Sequence, residues 1–141
     1  MDERIAIWNV LHDGEITAVS RSGSAVTFFV SIGYLRRRFA PPGGCFALSL
    51  GEVSELHFHD FDGEVQTLEQ QFETGRLDIL GTESQRLPIV VDTSMGSMTL
   101  SFERFDLSLD TGQLVSFAEI DQVSDEYWRD WEGKRLRGEA S

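Results

Sequence analysis

The sequence predicts a mainly β fold of the α+β kind: an antiparallel sheet shaped as a sandwich or an open barrel, with a C-terminal helix and one short internal helix. Three observations predict it. Apolar and polar residues alternate in short runs in both halves of the chain, which is the period of a half-buried strand. Glycine- and aspartate-rich turn signals separate these runs at near-regular spacing. Two segments break the pattern with the three-to-four-residue apolar spacing of a helix.

The first run covers 24–32, where Val26, Phe28, Val30 and Ile32 share one face. Arg36-Arg37-Arg38 comes next, before Phe39-Ala40-Pro41-Pro42-Gly43-Gly44, whose prolines and glycines mark a loop. The arginines read as a solvated strand end pairing with nearby carboxylates, or as a phosphate site. A second strand places Phe46, Leu48 and Leu50 on one face and ends at Gly51, a turn or bulge residue. Over 53–60, Leu56 and Phe58 face one way, and Glu55, His57 and His59 the other. From Glu64 to Thr74, Val65, Leu68 and Phe72 follow helical spacing, so a short helix is expected, stopped by Gly75.

The C-terminal half repeats this grammar. Met98, Leu100 and Phe102 alternate with Ser97, Thr99 and Ser101, and Phe105, Leu107 and Leu109 alternate with Asp106, Ser108 and Asp110. The phase slips at Glu103-Arg104, where a bulge or tight turn would restore a single buried face. Asp110-Thr111-Gly112 is a turn signal, and 114–118 reads as the returning strand. From Asp121 to Arg137, Val123, Tyr127 and Trp131 recur every fourth residue with Trp128 beside them. Asp125 and Glu126 suit the positive end of that helix, and Lys134, Arg135 and Arg137 its negative end, before Gly138. Its aromatic stripe is expected to lie on the sheet. A weak echo of strand pairs links the halves without forming a countable repeat.

Bulk properties narrow the function classes. The length of 141 residues suits one domain, 1–141, and ten Phe and three Trp help fill its core. The net charge of −12 repels phosphate backbones and anionic membranes, so neither nucleic acid nor membrane is an expected partner. The charge serves solubility, or else an acidic face steers a basic partner. A single cysteine, Cys45, allows no internal disulfide and fits a reducing compartment. Its apolar setting, Cys45-Phe46-Ala47-Leu48, suits a small buried hydrophobe better than a nucleophile. Met1-Asp2-Glu3-Arg4 has no basic region leading into an apolar stretch, and no apolar run nears the ~20 residues of a membrane span. Cytoplasm is the expected location.

The histidines are the residues that invite chemistry. His57 and His59 project from one strand face beside Asp60, and His12 precedes Asp13, so His57, His59, Asp60 and His12 would suit a zinc-type ligand set if they converged. Otherwise His57 and His59 are the solvent side of an edge strand. At His12-Asp13-Gly14, Asp13 fits a turn, and His12 fits a hydrogen bond to a strand carbonyl. Asp60-Phe61-Asp62-Gly63-Glu64 has acidic spacing but lacks a twelve-residue calcium loop, so it reads as a turn. No Gly-x-Ser-x-Gly elbow, phosphate loop or dinucleotide turn occurs, and no cofactor is expected.

Trp8-Asn9-Val10-Leu11-His12-Asp13-Gly14-Glu15-Ile16 resembles the Leu/Phe-His-Asp-x-Glu-Ile opening motif of bacterial immunity-type proteins from polymorphic toxin systems. The layout of strands after it, and the ending Asp110-Thr111-Gly112 with Tyr127-Trp128, are similar to related uncharacterised bacterial proteins. The resemblance implies a strand-rich cytoplasmic protein that binds and neutralises a toxin, and it supplies no catalytic residues. The chain is therefore read as a non-catalytic binding module for a basic protein, with Trp128, Glu126 and Asp130 as candidate contacts. The alternatives are a metal-binding protein or metal-dependent hydrolase using His57 and His59, and a structural homo-oligomer pairing through sheet edges or the Trp128 surface.

Overall fold

A computed structural model describes residues 2–136 and 138, Thr74 by its backbone alone. The elements run α1 (Glu3–Val10), β1 (Glu15–Ser22), β2 (Ala25–Ser31), α2 (Gly33–Arg36), β3 (Phe46–Gly51), β4 (Glu55–His59), β5 (Val65–Gln66) and α3 (Leu68–Thr74). Then come β6 (Leu77–Thr82), β7 (Ile89–Thr93), β8 (Gly96–Ser101), β9 (Arg104–Leu109), β10 (Leu114–Val115) and α4 (Phe117–Leu136). The mainly β expectation holds. Ten strands form one antiparallel sheet, ordered β10-β9-β3-β2-β1-β6-β7-β8-β4-β5, and the sheet does not close.

The strands sit where alternation placed them. Val26, Phe28 and Val30 of β2 and Phe46, Leu48 and Leu50 of β3 are buried, and so are Met98 and Leu100 of β8 and Leu107 and Leu109 of β9. These side chains join one core with Trp8 and Leu11. The middle of the sheet is β6, which changes partners along its length. Leu77 and Asp78 pair with β1, and Ile79, Gly81 and Thr82 pair with β7, with a register shift at Leu80. Such an irregularity bends a strand and strengthens its twist.

The phase slip at Glu103-Arg104 has a larger cause than a local bulge. There the chain leaves β8, in one half of the sheet, for β9 in the other. The β3–β4 connection crosses in the opposite sense. Each half is thus a three-strand meander (β1-β2-β3 or β6-β7-β8) completed by a hairpin from elsewhere in the chain, β9-β10 or β4-β5. At the β7–β8 hairpin, Gly96 takes a φ of 146°, and a Cβ there would strike the His59 carbonyl of β4. Only glycine lets the two strands approach.

The helices depart from expectation in extent and in what they cover. α1, β1, β6 and β7 fall where no element was expected, and α2 begins the segment read as a strand end. The internal helix is confirmed as α3, with Val65 in β5 ahead of it. The strand expected over 114–118 stops at Val115, because Ser116 starts α4. The Glu119 N–H donates to Ser116 Oγ at 3.1 Å, and the Ser116 N–H donates to Glu119 Oε1 at 3.1 Å. α4 therefore begins before Asp121, and Asp125 and Glu126 lie well past its first turn; Arg137 is outside the described residues. Its main packing partners are α1 and α2, not the sheet. Among the described residues, no helix is long and apolar enough to cross a membrane.

Candidate functional site

α4 is fastened to α1 and α2 by aromatic side chains. Trp128 stacks on His12, centroids 5.4 Å apart at 20°, and meets Tyr34 of α2 edge-on at 5.7 Å. Tyr127 lies 4.3 Å from Tyr34, and Arg38 sits over the Tyr127 ring at 5.4 Å. The Tyr34 hydroxyl donates to the His12 carbonyl at 3.2 Å, and burial pushes its pKa up to about 12. His12 Nδ1 lies 2.7 Å from the Asn9 carbonyl, so that nitrogen carries a proton. That carbonyl belongs to α1, where a strand carbonyl was expected.

Beside this cluster, α1 and α4 leave a cleft of about 570 Å³. Ile5, Ala6 and Val10 give it an apolar wall from α1, and Phe117 and Trp128 add aromatic surface from α4. Asp2, Asp121 and Asp125 contribute carboxylates, and among the described residues no lysine or arginine lines it. Asp2 is the N-cap of α1 and is tied to Arg4, whose Nη2 lies 2.8 Å from Asp2 Oδ2; this holds its carboxyl below the usual range. Asp121 and Asp125 make no ion pair among the described residues. A larger concavity of about 950 Å³ adjoins the cleft, but Arg4 and Arg104 face Glu3, Glu103, Asp106 and Glu119 there, so its charges have both signs.

Comparison with protein-family models, curated proteins and solved structures gives no match.

Of the residues picked from sequence, Trp128 belongs to the cleft, but it is half-buried and its Nε1 is cut off from solvent without a partner. Trp131, assigned to the buried stripe, is the more exposed at 38%. Asp130 is engaged by Arg38 at 3.4 Å, and Glu126 accepts from Gln122 Nε2 at 3.2 Å; neither lines the cleft.

The histidines do not come together. His57 and His59 lie on β4, and His12 lies just before β1, with β6, β7 and β8 between those two strands. Among the described residues, no three His, Cys, Asp or Glu side chains form a metal-ligand set. His57 is exposed and lies 3.5 Å from Glu55. Asp60 closes a turn: its Oδ1 accepts from the Asp62 and Glu64 N–H groups at 3.0 Å each, and Oδ2 accepts from Gln66. Those bonds, the Glu64 N–H foremost, lower its pKa.

Sequence reading missed Asp121 and Asp125. The available signal was their spacing with Phe117 and Trp128, which sets all four on one helical stripe once α4 is known to start at Phe117.

Proposed function

We propose that this chain is a non-catalytic binding module that takes a basic protein partner on its α1–α4 face. The observation that carries the reading is the cleft lining: carboxylates and aromatic rings around an apolar wall, with no lysine or arginine among the described residues. The net charge of −12 supports it, because such a field draws a cationic protein from a distance and raises its association rate. The resemblance of Trp8–Ile16 to immunity-type proteins gives the partner a class, a toxin with a basic surface. Within that stretch Trp8, Leu11 and Ile16 are core residues, and Asn9, Val10 and His12 reach the cleft. The one cysteine suits a cytoplasmic setting.

The test is to mix the purified chain with the products of neighbouring genes and follow binding by calorimetry. The expected outcome is a complex with one basic product that weakens as salt rises to roughly 0.3 M, where surface charges are screened within several ångströms. If no neighbouring product binds and deletion leaves growth unchanged, the proposal fails.

A further inference from the structure

Building on the binding-module reading, the geometry points to an arginine side chain of the partner as the occupant of the α1–α4 cleft, its guanidinium held between Asp121 and Asp125. These two carboxylates stand one helical turn apart on α4, so they share a face. Like charges at that spacing oppose the helix that carries them. Other carboxylates on α4 and around it have partners: Asp2 has Arg4, Asp110 has Arg36, Asp130 has Arg38 and Glu132 has Arg135, while Glu119 and Glu126 accept from the Ser116 N–H and Gln122 Nε2. Asp121 and Asp125 have none among the described residues. They face a concavity that no basic residue lines among the described residues.

The cleft distinguishes among cations. A guanidinium is a planar fork that satisfies two separate acceptors at once and gives up its water more readily than an ammonium does. The wall formed by Ile5, Ala6 and Val10 suits the methylene stem behind the charge. Phe117 and Trp128 add ring surface for stacking a planar cation, although His12 already covers one face of Trp128. Buried Ser124 keeps the α4 side of the cleft free of bulk between Asp121 and Trp128.

The probe is the peptide acetyl-Ala-Arg-Ala-amide, titrated into the full chain at low salt and followed by backbone and indole NMR signals. Lysine and citrulline counterparts serve as comparators. Saturable shifts are expected at Asn9, Gln85, Asp121, Asp125 and Trp128, weaker with lysine and absent with citrulline. The double variant D121N/D125N is expected to bind the arginine peptide at least about tenfold more weakly, the loss of charge-assisted hydrogen bonds. Its melting temperature should match or exceed that of the parent, which shows that it folds. Shifts scattered over the acidic surface, or an undiminished response in D121N/D125N, overturn the arginine slot. A neighbour-encoded partner that binds D121N/D125N as tightly as the parent also overturns the slot while leaving the binding-module reading intact. If no basic partner binds either form, the reading beneath both proposals falls.

Discussion

Arg36 carries its charge into the interior, with 1% of its side chain exposed, and every contact around it serves that burial. Its Nε donates to the Cys45 carbonyl at 3.2 Å and to Asp110 Oδ1 at 3.1 Å, its Nη2 to Asp110 Oδ1 at 2.8 Å, and its Nη1 to the Phe39 carbonyl at 3.3 Å. Asp110 Oδ2 accepts from the Gly44 and Cys45 N–H groups at 2.7 and 3.3 Å. A Cβ on Gly43 would strike both the guanidinium and the carboxylate. Gly43→Ala and Asp110→Asn are each expected to lower the melting temperature by several degrees, with Arg36→Lys no substitute for the fork. The Gly44 N–H and then Arg36 hold the Asp110 carboxyl down at about 2. Because that value lies below the unfolded one of about 3.9, the stabilisation is complete above about pH 4 and drains away as pH falls towards 2. Acid unfolding followed by circular dichroism should therefore be steeper below pH 4 in the parent than in Asp110→Asn; equal slopes would contradict the linkage. The arginine run was legible as a pairing site but read as solvated. Its partner lies beyond the β3–β9 pairing, and no local pattern announces a contact that only the folded Pro-Gly loop creates.

α3 and α4 are started by reciprocal caps at matching places. Thr67 Oγ1 accepts from the Gln70 N–H at 3.1 Å while Gln70 Oε1 accepts from the Thr67 N–H at 2.8 Å. Ser116 and Glu119 do the same for α4. Each cap follows a short edge strand, β5 or β10, so it fixes where the sheet stops and the helix begins. Thr67→Ala and Ser116→Ala should each cost about 1 kcal/mol in urea unfolding. The costs should add, since the two sites sit at opposite edges of the sheet. A loss near zero at either site would show that packing alone sets that boundary. Long alternations such as Val26–Ile32 and Met98–Leu109 were readable because one face is buried throughout. β6 buries only two alternate positions, too few to establish a period, and in β7 Ile89-Val90-Val91 is an unbroken apolar run with no polar alternation. β1 was hidden for another reason: after Ile16 most of its residues are exposed, so its place in the sheet is held by backbone pairing to β2. Missing α1, with its buried Ile5, Ile7 and Trp8, sent the aromatic stripe of α4 to the wrong surface and left the cleft between them unforeseen.

At the scale of the whole chain, the order of elements repeats. Helix, three-strand meander and hairpin occur as α1, β1-β2-β3 and β4-β5, then again as α3, β6-β7-β8 and β9-β10. α1 packs on β6 while α3 packs on β1, so the exchange that links the hairpins also links the helices. The faint echo between the sequence halves is this arrangement, blurred because β1 and β6 differ in exposure. α4 follows β10 as α3 follows β5, and the acidic cleft lies where α4 meets α1. The exchange leaves two edges, each a strand of two residues, with exposed Val65 on β5 and exposed Leu114 on β10. Short edges discourage pairing with another copy, but an apolar residue on each invites it. At neutral pH the charge of −12 on every copy opposes that contact. Near pH 4.5, the isoelectric point, this repulsion vanishes. Light scattering is expected to report a species of 15.9 kDa at pH 7 in low salt and larger species as pH approaches 4.5, with Val65→Lys and Leu114→Lys together suppressing the increase. A stable dimer at pH 7 in low salt would mean that the apolar edge contacts outweigh the repulsion between copies.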